Sequence, residues 1–260
     1  MRGSERRDHG HCGIIWGRRV GLGKDERTVA LEPNLSTGPA LGVLRPDAGD
    51  VLPDLDTLCR SLGRRRRPPE AIVKSAELTI AEARALLQPA AVWAEVEAAG
   101  LAEALLPGIP AAHLAGVSTL IGVVCTIGEA LEAQAQRHFA AQEYTRGYLL
   151  DQAGALAVAG LAQHVERLVR AGRNAARWAP GDGEGDWAME SQRMLFALLP
   201  ADAIGVRLSE HNVMFPAKSL SFVLLVGSSP AGRQCLGSCS RCVWNGACDR
   251  RSASEGQGEQ

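Results

Sequence analysis

The stretch from about Gln142 to Ala171 constrains the fold more than any other part of the chain. It reads as one long helix whose middle, Ala153 to Ala162, is made mostly of small residues. An apolar stripe at helical spacing has to be buried. Small side chains also let other backbones come close, so this helix is expected at the centre of the fold, with its stripe serving core packing. The composition fits such a core. The chain has 260 residues, of which 46% are apolar and 22% charged, as in soluble globular proteins. Aromatic residues make up only 4%, so Leu, Val and Ala must fill the interior.

The segments around this helix alternate between helical and extended patterns. Leu55, Leu58, Cys59 and Leu62 recur at helical spacing, and Gly63 ends the run. Pro68-Pro69-Glu70 starts a second helix, because Pro in a first turn loses no hydrogen bond. That helix carries Ile72, Val73, Ala76, Leu78 and Ile80 and stops before Pro89. His113 to Gly128, dense in β-branched residues, predicts one or two buried strands, and Glu129 opens another helix. Ala175 to Asp186 reads as a loop rich in Gly, Pro and Asp, and Met189 to Leu199 as a short amphipathic helix. Ile204 to Ser209 and Ser219 to Val226 read as strands on either side of a turn at His211 to Pro216. Residues 1–50 are expected to be poorly organised apart from a short strand near Thr28 to Leu31. One domain is expected over residues 51–230, then a Cys-rich tail over 231–251 and a disordered end over 252–260.

Charge and hydropathy exclude some functions. The net charge is -1, so no global basic field exists to hold a nucleic-acid backbone. The run Arg64 to Arg67 lies between Gly63 and Pro68 and reads as a solvated connector. The longest uncharged segment near the middle, Leu114 to Gly128, falls short of the roughly 20 residues a membrane helix needs. No secretory signal is visible, so a cytoplasmic location is expected, with cysteines present as thiols or metal ligands rather than disulfides.

Three groups of residues could carry chemistry. The first is Arg177-Trp178-Ala179-Pro180-Gly181, between the long helix and a short one. A guanidinium can pair bidentately with a carboxylate, and a Pro-Gly turn can present backbone groups to a flat heterocycle. That combination suits an amino-acid-bearing nucleotide, though such a loop can also be a plain connector. The second is Cys235, Cys239, Cys242 and Cys248, four cysteines within 14 residues. Thiolates at such spacing suit tetrahedral Zn²⁺ or an iron–sulfur cluster, with a redox pair or unligated thiols as alternatives. Cys12, Cys59 and Cys125 are scattered and read as core or surface thiols. The third is His211, Asn212, Met214 and Lys218, where His could bind a metal or shuttle protons but a turn His is usually just exposed.

The ordered set of motifs resembles a known family. Leu58-Cys59-Arg60-Ser61-Leu62-Gly63, Pro68-Pro69-Glu70, Thr126-Ile127-Gly128 with Leu131-Glu132, and Asp151-x2-Gly154-Ala155 resemble the activation (reactivation) domain of cobalamin-dependent methionine synthase, in its small free-standing form. The resemblance continues through Arg177 to Gly181, Gln192-x3-Phe196-x-Leu198-Leu199, Ile204 to Leu208, Met214-x-Pro216-x-Lys218-Ser219-Leu220-Ser221 and the terminal cysteines. It covers about residues 50 to 250. It implies an α+β fold, a twisted antiparallel sheet packed with long helices. It also implies S-adenosylmethionine binding, with Arg177 on the ligand's carboxylate and Ala179, Pro180 and Gly181 giving backbone contacts to the nucleoside. Glu166 is the candidate acid for the ligand's amino group. The tyrosine that follows Pro-Gly in that family is Asp182 here. This carboxylate can attract a sulfonium cation but cannot stack on the ligand.

The implied activity is support of the reductive methylation of cob(II)alamin, which needs one electron and a methyl group from S-adenosylmethionine. No residue of this chain is expected to act as a catalytic acid, base or nucleophile; the protein's part is orientation. The cobalamin would sit on a partner, methionine synthase or another corrinoid protein, with flavodoxin or ferredoxin as electron donor. A rival reading is a non-enzymatic Cys-rich metal or iron–sulfur protein that docks on a corrinoid methyltransferase. Asp182 favours the rival; Arg177 and Pro180-Gly181 oppose it.

Overall fold

The computed structural model describes residues 40–62, 68–98, 114–179 and 189–228. In chain order its main elements are β1 (Ala40–Leu44), α1 (Ala48–Val51), α2 (Leu55–Leu62), α3 (Glu70–Leu86), β2 (Ala90–Glu97), β3 (Val117–Thr126), α4 (Ala130–Ala140) and α5 (Tyr144–Arg170). There follow β4 (Ala175–Trp178), α6 (Gln192–Leu198), the two-residue strands β5 (Arg207–Leu208) and β6 (Met214–Phe215), and β7 (Ser219–Gly227). Short 3₁₀ turns at Met189–Ser191 and Ala201–Ile204 flank α6. Five strands form one antiparallel sheet in the order β1-β2-β3-β7-β4, and β5 and β6 make a separate small hairpin. The fold class is α+β, as expected.

Side-chain alternation along the strands divides the core into two layers. On β3, Ile121, Val123 and Cys125 face the helices, whereas Leu120 and Val124 face away. On β7, Phe222, Leu224 and Val226 lie on the helix side, with Val223 and Leu225 opposite. α1 to α5 contribute to the first layer; α6, Ala201, Ile204 and Val206 cover the second.

α5 is the central helix. It packs on α1, α2, α3 and α4 and crosses β3 and β7. Its small residues act as anticipated. A Cβ on Gly160 would lie 2.8 Å from the Val51 carbonyl oxygen, and one on Gly154 would lie 2.6 Å from the Leu131 side chain. α1 and α4 therefore approach α5 more closely than a larger residue would allow.

Several sequence expectations need correction. The chain is already organised at Ala40, so the expectation of little structure up to residue 50 fails over β1 and α1. β2 was not read as a strand: Ala90, Ala91 and Ala94 dilute the strand formers Val92, Trp93 and Val96, yet β2 pairs on both sides and is largely buried. The segment from Ala175, read as loop, begins with the edge strand β4, paired to β7. Ile204 to Ser209, read as one strand, begins with the last residue of a 3₁₀ turn and a left-handed Gly205, and is extended in a sheet only over the two residues of β5. The suggested strand at Thr28 to Leu31, the Arg64 to Arg67 run and the residues beyond Ser228 lie outside the described residues.

Candidate functional site

The corner that leads from α5 into β4 is tightly defined. α5 ends where Ala171 turns left-handed at φ 48°, followed by Gly172 at φ 78°. The Nε of Arg170 donates to the carbonyl of Arg173 at 3.0 Å, and the Nε of Arg173 donates to the carbonyl of Arg170 at 3.0 Å. Arg173 also grips Glu95 of β2 through two bonds, at 2.6 and 3.0 Å. Bidentate guanidinium–carboxylate pairs fix orientation as well as distance. The chain therefore enters β4 in a set register, with Arg177 opposite Leu224 of β7.

That register decides where Arg177 points. Ala175, two residues earlier on the strand, belongs to the helix-side core, and Trp178 to the opposite layer. Arg177 lies on the helix side. Its Cζ sits 5.7 Å from the centroid of the Phe222 ring, a cation–π distance. Its Nη1 is 4.0 Å from the Oε2 of Glu166 on α5. Glu166 is fully buried, and its Oε1 lies 3.7 Å from the Nη1 of Arg170 one helical turn on. Both guanidinium side chains stay 28% exposed, so the cluster reaches from the interior to solvent. Beneath it lies Cys125, whose thiol burial pushes up to about 12, with a backbone hydrogen bond from Leu220 and the charge of Arg177 acting the other way.

Sequence reasoning chose Arg177 and Glu166 separately, and the fold brings them together. Ala179 packs partly buried against the helix-side core. Pro180, Gly181 and Asp182 lie outside the described residues, as do Cys12, Cys235, Cys239, Cys242 and Cys248. Cys59 and Cys125 are both buried. Among the described residues no group of three or more His, Cys, Asp or Glu could hold a metal ion.

The His211 group does not converge. The His211 side chain is 82% exposed and lies 3.5 Å from Glu210. Asn212 is left-handed at φ 60° and serves the turn: its side-chain oxygen accepts from the Nε of Arg193 at 2.8 Å, and its carbonyl accepts from Gln192 at 3.3 Å. Lys218 is engaged by Asp151 of α5 at 2.8 Å. A small apolar depression lined by Val96, Leu120, Gly122, Met194, Leu195, Leu198 and Val223 lies on the sheet face opposite Arg177, and none of the candidate residues lines it. Sequence reading missed Arg170 and Phe222. The signal for Arg170 was available, since it follows Glu166 by four positions on a helix.

No family model matches the chain, and no curated protein matches it. Among solved structures, the chain is similar to the MetH reactivation domain bound to AdoHcy, with a TM-score of 0.54 at 13% identity. The match covers 76% of this chain and 83% of that one. At that identity the likeness shows a shared fold. No helix among the described residues is long and apolar enough to cross a membrane.

Proposed function

We propose that this chain binds S-adenosylmethionine and supports the reductive methylation of a corrinoid carried by a partner protein, in the manner of a methionine synthase reactivation domain. The observation that carries the reading is the convergence of Arg177 and Glu166 at the edge of the sheet, 4.0 Å apart, in a fold whose solved neighbour holds AdoHcy. An α-amino acid end is a zwitterion. A guanidinium beside a carboxylate is its electrostatic complement: Arg177 takes the ligand's carboxylate and Glu166 its ammonium.

The chemistry supplied by the bound group is transfer of a methyl from a sulfonium, whose leaving group is a neutral thioether. This chain's residues bind and orient. Arg177 and Glu166 fix one end of the ligand. Ala179, Pro180 and Gly181 offer backbone groups to the nucleoside, and the negative charge of Asp182, next in the sequence, favours the sulfonium. The partner is methionine synthase or another corrinoid protein, and flavodoxin or ferredoxin supplies the electron. In the absence of ligand, Arg177 and Glu166 pair with each other, so binding exchanges an internal ion pair for two external ones.

Calorimetry with S-adenosylhomocysteine tests the reading. Wild type is expected to bind. Arg177→Ala is expected to bind about 10- to 100-fold more weakly, the range of one charge-assisted hydrogen-bonded contact. Absence of binding to wild type, or equal binding to both, overturns it.

A further inference from the structure

The buried carboxylate of Glu166 faces two guanidinium groups, and only one of them belongs to the proposed ligand contacts. We infer that Arg170 is a positioning residue for ligand binding: it keeps Glu166 compensated while Arg177 turns from Glu166 to the ligand's carboxylate. This inference rests on the reading above and assigns a role to a residue outside the ligand contacts.

Glu166 has no solvent exposure, so its carboxylate must be compensated by the groups packed around it rather than by water. If Arg177 were its only partner in the protein, the ligand's ammonium alone would have to compensate the buried charge once Arg177 turned away, and that cost would oppose binding. Arg170 changes the balance. Its Nη1 is 3.7 Å from Oε1, whereas Arg177 reaches Oε2 at 4.0 Å. Coulomb attraction falls as the inverse of distance, so the two cations hold the carboxylate almost equally, within about a tenth. They also hold different oxygens. Arg177 can therefore leave without displacing Arg170, and Glu166 remains ion-paired throughout.

The geometry also keeps Arg170 from following Arg177. Its Nε is tied to the Arg173 carbonyl at 3.0 Å, and Arg173 is itself clamped to Glu95. Arg177, on a strand at the sheet edge, is held by the face of the Phe222 ring rather than by a directed bond to that ring. The arrangement thus has one fixed cation and one transferable cation about a single buried anion. Its local charge of plus one also favours a ligand end that brings a carboxylate.

Calorimetry with two ligands tests this. S-Adenosylhomocysteine carries the amino-acid end; 5′-methylthioadenosine carries the same nucleoside and sulfur without it. Arg170→Gln is expected to weaken S-adenosylhomocysteine about 10-fold while leaving methylthioadenosine unchanged. Arg170→Lys, which keeps the charge, is expected to restore most of the affinity. In a Glu166→Gln background, where no buried anion needs compensation, Arg170→Gln is expected to have no further effect. A purely structural role for Arg170 would weaken both ligands and persist in that background. Should Arg170→Gln fail to fold by thermal unfolding, Arg170→Met, which keeps the aliphatic stem, takes its place in the same cycle. Unchanged S-adenosylhomocysteine affinity in Arg170→Gln, alongside a loss in Arg177→Ala, overturns this inference and leaves the binding reading standing. Indifference of Arg177→Ala overturns both.

Discussion

Residue identity marked Arg177 and Glu166 as candidates, but not what each touches. The type of side chain is legible in a sequence; its direction depends on strand parity, and parity was invisible because β4 read as loop. A shift of one position along β4 would place Arg177 in the layer that holds Trp178, far from Glu166. A second charged group shows the same limit. His138, buried at the end of α4, lies between Glu82 of α3, at 2.9 Å, and Glu143 just before α5, at 2.5 Å. Gln134 donates to Glu82 at 2.9 Å, and Arg146 reaches it at 3.3 Å. Burial alone would raise the Glu82 carboxyl. The hydrogen bonds from His138 and Gln134 and the charges of His138 and Arg146 outweigh it, so Glu82 sits below its ordinary value of 4.5. A carboxyl lowered by folding stabilises fully above its unfolded value and loses that contribution as pH falls through its folded one. Urea unfolding of wild type from about pH 6 to about pH 3 is expected to show a loss of stability that Glu82→Gln lacks in part. Identical acid slopes for the two proteins would remove the cluster from the account.

At the scale of elements, the long helices were legible and the edge strands were not. α3, α4 and α5 carry the 3.6-residue period over many turns, and their ends fall close to the expected positions. β1, β2 and β4 are strands by pairing rather than by propensity. β1 sets Gly42 across from Trp93, and β2 owes its extended form to partners on both sides. A sequence read alone contains no such partner. Gly42 is needed because any Cβ there would run into the Trp93 indole. Gly42→Ala is expected to destabilise the fold by about 1–3 kcal/mol, the usual range for overpacking, and Trp93→Leu in the same chain should recover part of the loss. The other test lies at the end of α5. Ala171 adopts a left-handed conformation that costs an L-residue about 1–2 kcal/mol and costs glycine little. Ala171→Gly is therefore expected to raise the unfolding midpoint, with a gain of up to about 1 kcal/mol after the entropy of the added glycine is counted. A lower midpoint would mean that the αL strain is not relieved by removing the side chain.

For the whole molecule, the main question is how the cysteine cluster and the Arg177 site relate. The two are far apart in type. One is a cluster of two guanidinium groups about a buried carboxylate at the edge of a packed sheet, and the other is a set of thiols at Cys235, Cys239, Cys242 and Cys248 with spacing suited to a metal. The order of motifs made the fold legible because it spans helices and strands alike. It left the cysteine chemistry open, since thiolate spacing alone does not separate zinc from an iron–sulfur cluster. Protein purified without oxygen is expected to contain metal: visible absorption marks a cluster, and a colourless protein loaded with zinc marks a tetrahedral thiolate site. Replacing all four cysteines by Ser should abolish the metal. If S-adenosylhomocysteine binding depends on Arg177 and Glu166, held by α5 and β4, the same replacement should leave its affinity within about twofold, because ligand contacts and metal ligands then share no residue. Loss of ligand binding together with the metal would instead make the cysteines part of the ligand site. Retained metal in an Arg177→Ala protein that no longer binds ligand completes the separation of the metal ligands from the ligand contacts.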